Sequence, residues 1–390
     1  MEVMMKKILA ILLAGILTLS IVSCGDKKED DNNSNEKESL AIEKNYVEEA
    51  SKKGKFEYAL NSEGDYEIIS YEAYSLEASD ITLPNEVNGR DVVGIAANAF
   101  KTNNSKNSIK SITLPSTYKY IGEYAFYDCD SLVTVNLPDT FEEIGNSAFE
   151  NCDALASFKM PAGVKVISEY AFKDCKALKS LDLSNVTEIK KGAFLNCSAL
   201  ESITVSDKIE YATKEAFYGC DALVYNEEAE LKYLGNDANK TVLLVASKSL
   251  NVTECAVSAT TKVIADAAFN NCEYLTKITL SDSVKVINGT SFVGCSELKY
   301  NKSENGLYLG TEVNPYMVLI EVDISSVEDF KLNKDTKIIA ETAFAKCTAL
   351  EDIGFEGTEA EWNAIIKPAD WNGDLTINIT CSDKVITVLG

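Results

Sequence analysis

Histidine is absent from the 390 residues. With it go the commonest general base, the commonest metal ligand and the Ser-His and Cys-His nucleophile pairs. Enzymes without histidine exist, so this weighs against catalysis without closing it. Also missing are any C-x-x-C pair, a glycine-rich phosphate loop, a G-x-S-x-G elbow and an EF-hand calcium loop. Nothing in the sequence therefore asks for a metal or another cofactor. Positive charge is scarce: 37 Lys and Arg stand against 61 Asp and Glu, a net charge of −24. Nucleic acid and anionic lipid would repel such a chain, so neither is an expected partner. The 61 carboxylates make accidental neighbours common, and no pair has a spacing that singles it out for acid-base work.

No apolar run is long enough to cross a bilayer. The longest, Ile8 to Val22, follows Lys6 and Lys7 and has 15 residues, which suits the core of a signal peptide. It ends Ile21-Val22-Ser23-Cys24-Gly25. This resembles the bacterial lipobox, which implies that Cys24 is lipidated and becomes the mature N-terminus. Ordinary cleavage near Ser23 is the competing reading. Residues 25 to about 50 are charged, polar and poor in apolar groups, as in a flexible tether, with room for a short helix over 40–50.

What the rest of the chain has is a repeat. The pair Ala-Phe recurs, or Ser-Phe in one copy, with phenylalanine at 100, 126, 149, 172, 194, 217, 269, 292 and 344, mostly 22 or 23 residues apart. Three residues after all but the first stands a cysteine: Cys129, Cys152, Cys175, Cys197, Cys220, Cys272, Cys295 and Cys347. A leucine follows each cysteine by three, then a short alternating stretch such as Leu181-Asp182-Leu183. The alternation sends apolar side chains to one side of a short strand. A coil this short cannot bury them alone, whereas stacked coils can, pairing their strands into a parallel sheet. The Ala-Phe segment is expected to close each coil with a tight helical turn.

The stretch from Leu132-Val133-Thr134-Val135-Asn136-Leu137-Pro138 to Ile144-Gly145-Asn146-Ser147-Ala148-Phe149-Glu150-Asn151-Cys152 resembles the leucine-rich repeat of the BspA-like bacterial family. The resemblance covers roughly residues 56–390. It implies a leucine-rich-repeat solenoid of the α/β repeat class, β-rich with short helical turns, built from stacked coils of about 23 residues. It also implies a surface protein that binds host matrix proteins, other bacteria or glycans, although a fold alone does not carry a function. Two steps of 52 residues mark enlarged coils, each read as carrying an inserted β-hairpin that projects from the solenoid. Tyr233-Leu234-Gly235 and Tyr308-Leu309-Gly310 occupy the same register in a module duplicated at 75 residues. The chain thus divides into a signal peptide (1–23), a lipidated Cys24 with an acidic linker (24–50), an N-terminal cap (51–100), the solenoid (101–356) with enlarged coils at 224–252 and 299–327, and a C-terminal cap (357–390) holding Trp362 and Trp371.

The cysteine ladder reads as structural: each thiol serves as a small hydrophobe with a weak donor, and a hydroxyl in its place would be forced into an apolar rung. Cys255 and Cys381 read as core residues. Asp370, Asn372 and Asp374 read as a capped turn rather than a cation site. The candidate binding face is the solvent side of the strands: Ser111 and Thr113, Thr134 and Asn136, Ser157 and Lys159, Ser180 and Asp182, Ser202 and Thr204, Lys277 and Thr279. Such a hydroxyl-rich ladder suits any exposed strand surface, and equally a shallow, extended recognition face. The expected function is non-catalytic binding of a protein or glycan at the cell surface, with membrane contact only through the Cys24 lipid. An envelope scaffold without an external ligand is the alternative. A carbohydrate-active enzyme is a remoter one, since it would need two carboxyl groups about 5–10 Å apart in a deep pocket.

Overall fold

A computed structural model describes residues 46–390 apart from 51–53, 75–78, 102–108, 229, 236–238, 247–252, 324–325, 327, 369–370, 374 and 390. Cys24, the apolar run and the linker up to residue 45 lie outside the described residues.

The chain winds into a parallel β-solenoid in which every regular coil contributes two short strands. In the coil after Leu132, strand Thr134–Asn136 buries Val135 and leaves Thr134 and Asn136 to solvent. A turn from Pro138 leads to the two-residue strand Glu143–Ile144, which buries Ile144. The first strand type pairs from coil to coil in register, Ser111 with Thr134 and Thr134 with Ser157. The second does the same on the other side of the core: Ile95 with Ile121, Ile121 with Ile144. This second ladder is a finding of the structure, since two-residue strands leave no alternating pattern to read.

The Ala-Phe segments form consecutive i to i+3 turns rather than continuous helix. Glu150 N–H donates to Ser147 O at 3.2 Å and Cys152 N–H to Phe149 O at 3.2 Å. Left-handed residues break the helix: Asp128, Asn151, Asp174, Asn196 and Asn271 have φ near +60°, and Gly219 and Gly294 have 74° and 79°. Asp, Asn and Gly are the residue types that tolerate this conformation best. Lys214–Phe217 alone among these segments is a 3-10 helix.

Inside, Phe100, Phe126, Phe149, Phe172, Phe194 and Phe217 form one stack with successive centroids 4.8–5.7 Å apart. Phe269 and Phe292 form a second, at 5.3 Å. The cysteines lie beside the rings. Cys175 Sγ donates to Phe149 O at 3.2 Å, and that carbonyl also accepts Cys152 N–H. The same thiol-to-carbonyl bond joins Cys152 to Phe126, Cys197 to Phe172 and Cys295 to Phe269. Each such carbonyl therefore takes one donor from its own coil and one from the next, satisfying both lone pairs in the core.

The enlarged coils depart from the expected projecting hairpins. Each holds a three-stranded antiparallel meander, Asn226–Glu228, Leu231–Leu234 and Val242–Ala246 in the first, Asn301–Ser303, Gly306–Leu309 and Val318–Val322 in the second. The last strand of each joins the second ladder in parallel with Val263–Ile264 or Ile338–Ile339. Leu231, Tyr233, Val242 and Leu243 are fully buried, so the insert is core and not appendage. The inserts also divide the first ladder after Ser202–Val205 and after Lys277–Thr279, and it parts once more between Ser157–Phe158 and Ser180–Leu183, where nothing is inserted.

At the N-terminal end, antiparallel strands Tyr46–Ala50, Gly54–Leu60 and Tyr66–Ala73 close the solenoid. Of the stretch 40–50, which had room for a short helix, the described residues Tyr46–Ala50 form a strand, paired with Lys55 to Ala59. At the other end, helix Glu359–Ala364 starts with a capping box between Thr358 and Glu361, and Trp362 packs on Trp371 at 5.6 Å. The hairpin Ile377–Thr380 and Val385–Val388 ends the sheet. Among the described residues, no helix is long and apolar enough to cross a membrane.

Two stability measurements check this packing. Phe172→Ala should cost about 3–5 kcal/mol in denaturant unfolding, because its ring has aromatic neighbours on both sides. Cys175→Ala should cost roughly 1–3 kcal/mol, since Phe149 O loses its second donor. Cys175→Ser keeps a donor and should be milder, the reverse of what a purely apolar slot gives. A serine variant no more stable than the alanine one would show that the thiol acts only as a hydrophobe.

Candidate functional site

The parallel register sets the twelve strand-face residues in two columns that run in separate segments. Ser111, Thr134 and Ser157 stand side by side, with Asn136 beside Thr113 and Lys159 just past the end of its strand. Ser180 pairs with Ser202 and Asp182 with Thr204, and Lys277 and Thr279 lie beyond the first insert. None of the twelve is buried: Asn136, Ser157, Lys159, Ser180, Asp182, Ser202, Thr204 and Lys277 are exposed, the other four partly so. Their contacts run mostly along the columns. Ser111 Oγ donates to Asp80 Oδ1 at 2.6 Å, and Asn136 Nδ2 to Thr113 Oγ1 at 3.1 Å. Lys159 reaches Asp139 at 3.1 Å, an exposed pair worth little in water. The Ser184 hydroxyl and N–H both donate to Asp182, holding its carboxyl below the usual range.

The columns extend beyond the residues read from the sequence. Asp80 and Thr82 precede them, and Glu254 pairs with Lys277 and Ala256 with Thr279. Asp329, Asp352 and Asn378, with Lys331, Gly354 and Thr380, continue them at the far end. The signal was there, in the alternation of Asp80-Ile81-Thr82-Leu83 and Asp329-Phe330-Lys331-Leu332. It lay outside the regular spacing that drew attention to the other strands.

The second insert divides the face and leaves a hollow on each side. One, of about 480 Å³, is lined by Glu254, Lys277, Thr279, Lys299, Asn301 and Thr311. The other, of about 540 Å³, is lined by Glu304, Asp329, Lys331, Asp352, Glu356 and Thr380. Several carboxylates meet in the latter, the arrangement a glycosidase would need. Lys331 hydrogen-bonds Glu356 at 2.7 Å and lowers its pKa. Thr380 Oγ1 donates to Asp352 Oδ2 at 3.2 Å. No aromatic side chain stands among the twelve strand-face residues, so the face is polar, shallow and built from small groups.

All ten described cysteines are buried and unbridged. Burial pushes the thiols up: Cys175 and Cys197 rise well above the ordinary range, Cys220 to about 12 and Cys295 to about 11. Such thiols are poor nucleophiles and poor ligands. Among the described residues, no three of Cys, Asp and Glu are grouped to hold a metal ion. Of the Asp370, Asn372 and Asp374 turn, only Asn372 is described, and its amide donates to Leu375 O at 2.8 Å.

A sequence profile of the BspA-type leucine-rich-repeat region, in six copies, matches residues 93–224, 246–313 and 322–364. The solved structures similar to this chain include a leucine-rich-repeat protein of T. pallidum, 26% identical, covering 63% of this chain and 88% of its own, with a TM-score of 0.37. A leucine-rich cell surface protein of Faecalibacterium prausnitzii is 22% identical over 82% of this chain and 97% of its own, with a TM-score of 0.39. A leucine-rich-repeat protein of Bacteroides ovatus is 19% identical over 85% and 99%, with a TM-score of 0.42. No curated protein matches the chain.

The buried ladder makes a chemical prediction. In native buffer a thiol reagent should leave Cys152, Cys175 and Cys197 unmodified, and in denaturant all should react. Rapid native labelling of these three would place them at the surface and contradict the coil geometry described above.

Proposed function

The chain belongs to the BspA-type leucine-rich-repeat family, and we propose from this that it is a non-catalytic recognition module, displayed at a bacterial cell surface, whose strand face binds a protein partner. One observation carries the reading: polar side chains, exposed or partly so, stand in register within each run of paired strands, Ser111 to Ser157 and Ser180 to Thr204. A rigid backbone holds them, so a partner meets a preorganised surface at little entropic cost. The absence of aromatic side chains among these residues favours a protein over a glycan, which is commonly held by stacking on rings. The solenoid gives each coil only two or three such groups. Affinity must therefore be spread over several coils.

Retention of surface components on the immobilised protein tests the proposal. Saturable retention of a protease-sensitive component from host or bacterial surface extracts is expected. Asn136, Lys159 and Asp182 changed together to Ala should reduce it strongly without shifting the melting temperature, whereas Lys159→Ala alone should reduce it only modestly. Unchanged retention by the triple variant would move recognition to another surface. No retention of any component would favour the envelope scaffold.

Attachment rests on Cys24 in this proposal, with the acidic stretch that follows as spacer. Cys24→Ala should release the protein from the membrane fraction or leave it as unprocessed precursor. A variant of mature size that stays with the membrane would refute the lipid anchor.

A further inference from the structure

The second insert leaves one step of the strand face incomplete. In a regular coil the next strand fills every step: Lys110 O accepts Val133 N–H at 2.8 Å, Ile112 stands beside Val135, and Leu114 N–H donates to Asn136 O at 2.9 Å. At strand Lys277–Thr279 the outer steps are kept. Thr276 O accepts Lys299 N–H at 3.0 Å, and Leu280 N–H donates to Gly310 O at 3.0 Å. The chain between Lys299 and Gly310, which would hold the counterpart of Thr134–Asn136, goes into the meander instead. On its other edge the strand pairs with Glu254–Ala256, where Lys277 N–H donates to Thr253 O and Thr279 O accepts Val257 N–H. Bonding direction alternates along a strand, so the N–H and C=O of Ile278 point away from that neighbour. They face the hollow of about 480 Å³ and have no partner among the described residues, although Ile278 is only 5% exposed.

The slot is closed at both ends and polarised. Lys299 stands at the Thr276 end, with Lys277 next to Thr276 on the strand, and Glu312, just after Gly310, stands at the other end. Neither lysine makes an ion pair among the described residues. Glu254 pairs across the strand with Lys277, on the side away from the missing step. A buried N–H and C=O without partners cost free energy, and an amide beside a carboxylate satisfies both. A chain passing through would collide with Lys299 or Gly310, so the slot suits a chain end.

We propose that this slot captures the carboxyl end of a partner polypeptide, an inference that rests on the strand face being the recognition surface. The last residue of the partner lies antiparallel to Lys277–Thr279. Its N–H donates to Ile278 O and its carboxylate accepts Ile278 N–H, as one strand adds to the edge of another. The second carboxylate oxygen meets Lys277 and Lys299, whose charge strengthens the bond. The reverse orientation would set the carboxylate against Glu312. The side chain of the last residue falls on the same side as that of Ile278, where buried Leu309 also lines the hollow, which suits a small apolar residue.

The probe is N-acetyl-glycyl-alanine with a free carboxylate, titrated into the whole protein and followed by calorimetry and amide hydrogen exchange. Saturable binding is expected below about 10 mM, with slowed exchange at Ile278. The carboxamide of the same peptide should bind at least about tenfold more weakly, since it lacks the charge that the lysines meet. Lys277→Gln with Lys299→Gln should weaken binding of the acid at least about tenfold as well. Both side chains are exposed, so the melting temperature should hold. The strand-face triple variant, changed on other coils, should bind the peptide as the unchanged protein does. No saturable binding of the acid at about 10 mM, equal binding of acid and carboxamide, or binding that leaves Ile278 exchanging freely overturns the proposal. Each of these leaves the strand-face reading standing, because that reading is tested by retention on the immobilised protein and not by the peptide.

Discussion

A coil of 22 or 23 residues closes on an interior that only its neighbours can complete. Phe149 shows the arrangement in full. Its ring lies between those of Phe126 and Phe172, and its carbonyl accepts one bond from its own coil and one from the next coil's Cys175. Neither the ring nor the carbonyl is satisfied within a single coil. Stability is therefore a property of adjacency, as in other repeat architectures, and the end modules exist because the first and last coils lack one neighbour. The Trp362–Trp371 pair does at the C-terminal end what a further phenylalanine would do inside the array.

The same adjacency fixes the outer surface. Parallel pairing in register sets Thr134 beside Ser111 and Ser157, so the spacing of the exposed groups follows from the buried ones. Where the sequence inserts residues, both ladders part into separate sheets, and the last strand of each insert starts the second ladder afresh. Val242–Ala246 and Val318–Val322 enter the second ladder, while the strand face and the phenylalanine stack are interrupted. The inserts thus partition one face into separate segments.

Most of the solenoid was legible because three positions in each coil are chemically demanding. Phe, Cys and Leu at fixed spacing must share one interior, and the solvent partners on the strand follow by alternation, as Thr134 and Asn136 do around Val135. The second ladder was not legible. Its strands are two residues long, and Ile121 or Ile144 alone does not announce a strand. The left-handed turns could have been found, since Asp128, Asn151, Asp174, Asn196 and Gly219 fall one residue before each cysteine and belong to the types that accept positive φ. The inserts misled in a different way. Tyr233-Leu234 and Val242 to Val245 read correctly as strands, but their apolar content was the better guide to location. Leu231 and Leu243 could not have stood on a projecting hairpin without leaving a large apolar surface in water.

The claim that coils hold one another through the ring stack is most directly tested by double-mutant cycles on Phe149, Phe172 and Phe194, each changed to Leu. Phe149 and Phe172 lie 5.4 Å apart and should couple by about 0.5–1.5 kcal/mol. Phe149 and Phe194, with Phe172 between them, should be additive to within about 0.3–0.5 kcal/mol. Equal coupling in both cycles, or none between the adjacent pair, would contradict the account.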